Sequence, residues 1–268
     1  MSIVYSALLP HSPLLINPIG KDHTKILAPT LESYQKVIQQ LKNRNVETIF
    51  IISPHGSKQT DKLSLNAPLQ YEVSLADFGD LSTRLEIEPD LPLAQKIKDN
   101  ENLKDKLHIN DQTILDYGSS IPLYLILSDL PGLKALSLTY SDQSLDANYE
   151  FGKDLSSILK KSDKNIAIIA SGDMSHCLQK DSPGGYSPKG AKFDNQIKEI
   201  LAQGQDVDKK ILDIDNSIIK KAGECGLRSL IVMLGILNDY NYEPKILSYQ
   251  SDFGVGYLSA QFNNLEAK

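Results

Sequence analysis

The chain is short of cysteine, of long apolar runs and of excess positive charge, and each shortage removes a class of protein. Its two cysteines, Cys177 and Cys225, show no C-x-x-C spacing, which excludes a disulfide framework or structural zinc ribbon as the organising principle. No window approaches the roughly 18–20 continuous apolar residues that a membrane helix needs. The opening MSIVYSALLPHSPLLINPIG is apolar, yet it has no basic leader or small-residue cleavage pattern and is broken by prolines. No signal peptide is read there, and the expected location is cytoplasmic. The formal net charge is −6, with no lysine and arginine cluster interleaved with aromatics. Neither nucleic acid nor a membrane is an expected partner, and the expected ligand is small. Internal repeats, low-complexity tracts and charged tails are missing too.

What remains is an ordinary globular composition, 268 residues with 41% hydrophobic and 23% charged, enough for one large α/β domain. No composition shift marks a boundary, so residues 1–268 are read as a single domain. Short β-branched or apolar runs bounded by turn formers predict strands at 3–9, 47–52, 134–139, 165–170, 245–249 and 257–262. Helical patterns fill 26–44, 90–100, 119–130, 144–161, 188–204 and 225–240. This alternation predicts an α/β fold with a central, largely parallel or mixed sheet flanked by helices on both faces. KLSLNAPLQYEVSL (62–75) reads as two short strands joined at Asn66 to Pro68, and KDSPGGYSPKG (180–190) as a loop, either a lid or a passive connector.

Three of the five histidines follow predicted strands: His11 in LLPHSPLL, His55 in IFIISPHGS and His176 in SGDMSH. Ligands of such sheets collect beyond the carboxyl ends of the strands. A single histidine in a turn is more often a hydrogen-bonded loop residue than a ligand, but three at equivalent ends point to a shared site. His23 and His108 lack this placement and are expected at the surface. Neutral imidazoles suit iron, zinc or copper. Glu224 in GECGLRS is the best candidate carboxylate, although from spacing alone the reading as a first-turn acid favouring a helix dipole is the stronger one. Two histidines and a carboxylate on one face of an octahedron leave three positions open, as in non-haem ferrous enzymes.

The order LLPHSPLL, ISPHG, SGDMSH and GECGLRS resembles the LigB superfamily, the class III extradiol ring-cleavage dioxygenases and their relatives, including the Memo-like proteins. The resemblance implies Fe(II) held by His11, His55 and Glu224, with His176 as acid/base residue and Asp173 supporting it. It implies a catechol or aminophenol type substrate and dioxygen as partners. Homo-oligomerisation or a partner subunit is also implied. Where family dioxygenases commonly carry a second histidine, this chain has Tyr117, a poorer proton shuttle at neutral pH because a phenol titrates near 10. Memo-like relatives use a cysteine in the motif that here holds Cys225, and a thiolate shifts preference toward copper or zinc. Two further readings therefore stand beside ring cleavage: a Memo-like metal-binding protein without it, and a zinc-dependent hydrolase in which His176 activates water.

Overall fold

The computed structural model describes residues 2–267. Ten strands are present among them: β1 (Ile3–Leu9), β2 (Thr48–Ser53), β3 (Leu63–Asn66), β4 (Tyr71–Leu75), β5 (Asp80–Ile87), β6 (Leu107–Asn110), β7 (Lys134–Thr139), β8 (Ile166–Ser171), β9 (Tyr240–Gln250) and β10 (Tyr257–Ala267). The helices are α1 (Asn17–Gly20), α2 (His23–Ile26), α3 (Ala28–Asn43), α4 (Leu91–Lys98), α5 (Tyr117–Leu127), α6 (Leu145–Leu159), α7 (Pro188–Gln203), α8 (Val207–Leu212), α9 (Asn216–Ala222) and α10 (Leu227–Ile236).

Eight strands form one mixed sheet in the order β6-β3-β7-β2-β8-β1-β10-β9, and β4 pairs with β5 in a separate ribbon. The three central strands are parallel: β8 lies between β1 and β2 and pairs with both. Every residue of β2 (TIFIIS) and β8 (IAIIAS) is buried, as expected of strands covered on both faces. Alternate side chains enter two separate cores. Phe50, Ile52 and Ile168 pack with Leu155 of α6, Ile197 of α7 and Leu230 of α10. Ile49, Ile51 and Ile169 pack on the other face with Val37 of α3, Ile121 of α5 and Val73 of β4. The predicted α/β sheet with helices on both faces is the observed fold.

Several details differ from the sequence reading, among them α8 and α9, which lie within 207–222 where no helix is expected. The strands within 62–75 do not pair with each other. β3 joins the main sheet between β6 and β7, whereas β4 leaves it for β5. Burial explains the split: LSLN is buried throughout and needs the sheet's interior, while YEVSL alternates buried and half-buried residues, as a one-sided ribbon does. β5 and β6 were not expected because DLSTRLEI has a solvated face and LHIN is embedded in charge. The 180–190 segment is a hydrogen-bonded connector. The Ser182 hydroxyl donates to the Gly254 carbonyl (2.8 Å), and the Ser187 N–H donates to the Cys177 carbonyl (2.9 Å). Among the described residues no helix is long and apolar enough to cross a membrane.

Candidate metal centre

The sheet order explains why residues far apart in sequence meet. His11 lies two residues beyond β1 and His55 two beyond β2, while the strand between them, β8, runs into Asp173 and His176. Cys225 arrives from the turn before α10. It can come close because Gly172 and Gly226 touch backbone to backbone: a Cβ added to Gly172 would lie 2.0 Å from Cα of Gly226. The Asp173 carbonyl then accepts the N–H groups of Cys225 (3.2 Å) and Gly226 (2.9 Å), and the Asp173 N–H donates to Cys225 Sγ (3.3 Å).

Each turn is braced. Tyr34 on α3 donates its hydroxyl to the Pro10 carbonyl at 2.6 Å, and the His11 N–H donates to Asp173 Oδ1 at 3.0 Å. The Ser53 hydroxyl accepts the His55 N–H (3.3 Å) and donates to Asp116 Oδ1 (2.5 Å). Asp116 is also the N-cap of α5, its Oδ1 accepting the Ser119 N–H at 3.0 Å. The SPHG turn is thereby tied to the start of α5, whose first residue, Tyr117, stacks its ring on His55 with centroids 4.1 Å apart and planes 19° apart. The same ring meets His11 edge-on at 5.4 Å and Phe78 at 5.3 Å. Gly118 makes this packing possible, since a Cβ there would sit 2.5 Å from Ser53 Oγ and 3.1 Å from His55 Cδ2.

The donor atoms converge. His11 Nε2 lies 3.1 Å from His55 Nε2 and 3.5 Å from Cys225 Sγ. Two sets of candidate ligands, His11–His55–Cys225 and Asp173–His176–Cys225, each have donor atoms within 4.8 Å of one another. They share the sulfur of Cys225. Glu224 belongs to neither set. Its carboxylate accepts the Leu227 N–H at 2.7 Å, capping the start of α10, and burial raises it to about 7. The structure thus brings five of the named side chains together, His11, His55, Asp173, His176 and Cys225, with Tyr117 stacked alongside, and turns Glu224 to the helix. His23 and His108 are exposed.

The electrostatics suit a cation. Burial lowers His11 to about 3, helped by the nearby His176. Burial likewise lowers His55 to about 3, with His11 next in effect. Both imidazoles are therefore neutral at ordinary pH, the form that ligates metals. Burial raises the Cys225 thiol well above its usual value, with Asp173 adding to the shift, and raises Asp173 to about 6 against the pull of His176. His176 Nδ1 is buried without a hydrogen-bond partner among the described residues. Two neutral imidazoles and one thiol around one point form a donor set that fits a transition metal, and His176 adjoins it through the shared Cys225.

Residues 5–260 match the family described as the catalytic LigB subunit of aromatic ring-opening dioxygenase. The chain belongs to the LigB family. Protein CA_C1420 of Clostridium acetobutylicum is 32% identical over 267 residues, covering 96% of this chain and 57% of that protein's length. This LigB-family chain thus spans little more than half of the curated relative it matches. The crystal structure of uncharacterized protein JW3007 from Escherichia coli K12 superposes with a TM-score of 0.69 over 97% of this chain and 100% of that one. At 17% identity that likeness shows the fold alone.

Sequence reasoning missed Ser53, Asp116, Tyr34 and Ser171, which hold the site without belonging to it. Ser171 is the last residue of β8, and its hydroxyl lies 2.9 Å from His11 Nδ1. The one available signal was a serine at each of two strand ends, in IIS before Pro54 and IAS before Gly172.

Proposed function

We propose that this protein is a metal-dependent oxygenase of the ring-opening type, acting on a small catechol or aminophenol type aromatic with dioxygen. The observation that carries the reading is the convergence of His11 Nε2, His55 Nε2 and Cys225 Sγ. We assign the metal to these three groups, with Cys225 in the place first expected of Glu224. Family membership supports the aromatic substrate and the oxygen chemistry. Fe(II) is the assigned ion; when bound it supplies the Lewis acidity and redox capacity that let an aromatic diol and dioxygen react.

The chain's own residues do the remaining work. The Tyr117 ring, stacked on His55 and flanked by Phe78, gives a planar substrate an apolar wall. His176, half-buried beside the candidate ligands, takes the proton from the incoming hydroxyl, returning it as the ring opens. Asp173 fixes the neighbouring turn by accepting the His11 N–H and both amides at the start of α10. The two free cysteines accord with a reducing, cytoplasmic setting. The longer relative supports a further domain or partner subunit beside this one.

One observation favours a second reading. A thiol in the donor set draws softer ions, copper or zinc, which suits a Memo-like metal protein without ring cleavage. Anaerobic reconstitution with Fe(II) followed by oxygen-electrode assays on catechols and 2-aminophenols separates the two. Oxygen uptake with a ring-opened product, lost in His176→Ala, supports the first; tight metal binding with no uptake on any substrate supports the second.

A further inference from the structure

α5 contains a proline in its interior, Pro122, and the consequence reaches the metal centre. A helical carbonyl normally accepts the N–H four residues on. For Gly118 that residue is Pro122, which has no N–H to give. The Gly118 carbonyl is instead met by the Ser171 hydroxyl at 2.5 Å, an interaction with both partners buried. A carbonyl only accepts, so the single hydroxyl hydrogen of Ser171 points at Gly118. Ser171 Oγ is also 2.9 Å from His11 Nδ1. With its hydrogen committed, the serine faces the imidazole with a lone pair, and His11 Nδ1 must carry the hydrogen of that bond. In a neutral ring the other nitrogen is then bare.

We propose that Pro122, Gly118 and Ser171 form a relay that fixes the tautomer of His11, keeping the Nε2 lone pair aimed at His55 and Cys225 in readiness for a metal. The relay makes Ser171 and Pro122 positioning residues for a ligand they do not touch. It rests on the metal site proposed above for its purpose, but the tautomer itself is a property of the metal-free protein. A hydrogen bond of this kind orients a ligating histidine and raises its basicity, and its loss typically weakens metal binding by about 10–100-fold.

The test has two readouts. Long-range proton–nitrogen NMR of isotope-labelled histidine in the metal-free chain reports the tautomer directly, and competition titration with Zn(II) reports affinity. Wild type is expected to show His11 as the Nδ1–H form. Ser171→Ala is expected to lose that preference and to weaken Zn(II) binding by about 10–100-fold, with Ser171→Thr, which keeps the hydroxyl, restoring both. Pro122→Ala supplies a competing N–H for the Gly118 carbonyl and is expected to move both readouts in the same direction by less. Thermal unfolding of each variant, followed by circular dichroism, separates these effects from loss of fold. An Nε2–H ring in wild type, a Ser171→Ala protein that keeps the Nδ1–H form, or one whose Zn(II) affinity is unchanged overturns the relay. If the wild-type tautomer is as expected, and Ser171→Ala loses it, but no metal is retained, the metal reading falls and the tautomer assignment stands.

Discussion

The two rims of the central sheet each bury polar chemistry, and they treat it in opposite ways. At the amino ends of β2 and β8, Asp90 is fully buried and fully served. Lys164 Nζ and Thr48 Oγ1 both donate to its Oδ2 at 2.7 Å, and the Leu93 N–H donates to its Oδ1 at 3.2 Å. Burial alone would raise this carboxyl, but the Lys164 and Thr48 hydrogen bonds outweigh it and hold Asp90 below its usual range. At the opposite rim, beyond the carboxyl ends of β1 and β2, two imidazoles face each other nitrogen to nitrogen. A thiol lies beside them, and His176 Nδ1 has no hydrogen-bond partner among the described residues. A buried polar group without a partner is costly. The Asp90 network is closed and serves stability; at the other rim the donors of His11, His55 and Cys225 lie around a common point, the arrangement expected of a binding site.

The sharpest way to break this contrast is to remove ligands. Structural metal sites gain roughly 10–16 kcal/mol, so losing one of three donors is expected to cost on the order of 4 kcal/mol, or about 1,000-fold in affinity. His55→Ala and Cys225→Ala should each show this by competition titration, while Asp90→Ala leaves affinity unchanged. Asp90→Ala should instead lower unfolding stability by about 1–3 kcal/mol in urea titrations, because α4 loses its N-cap and the buried Thr48 hydroxyl its partner. A metal effect in that variant would undo the division between the rims. Gly172→Ala tests the backbone contact that delivers Cys225. Overpacking there is expected to cost about 1–3 kcal/mol of stability and to weaken metal binding as well, since the turns bearing Asp173 and Cys225 are pushed apart.

A smaller effect follows from protonation. The thiol of Cys225 is raised by burial and must lose its proton to ligate. His11 and His55, lowered to about 3 by burial, are already neutral. The logarithm of metal affinity should therefore rise by about one per pH unit across the neutral range, with no histidine contribution until pH falls toward 3. Isothermal titration in buffers of different ionisation enthalpy counts the released proton, and Cys225→Ala should abolish it. The smallest effect is expected of Tyr117→Phe, which keeps the ring on His55 and should change metal affinity by less than about twofold.

The sheet was legible because its central strands are short apolar runs ending at turn residues, and because His11, His55 and His176 each follow such a run. Sequence order alone does not say that β8 inserts between β1 and β2, yet that placement is what brings the three histidines together. The choice between Glu224 and Cys225 was illegible for a local reason. Adjacent residues point in different directions, and only in the folded chain does Cys225 Sγ lie 3.5 Å from His11 Nε2 while the Glu224 carboxylate accepts the Leu227 N–H. Ser171 and Pro122 were illegible for a different reason: their hydrogen-bond partners lie on another element, so no spacing along the chain records them.

X-ray absorption on the zinc-loaded protein asks directly whether His11, His55 and Cys225 hold a single ion. One sulfur neighbour at about 2.3 Å with nitrogen at about 2.0–2.1 Å is expected, the sulfur disappearing in Cys225→Ser. A shell of nitrogen and oxygen alone in the wild-type protein would contradict that assignment.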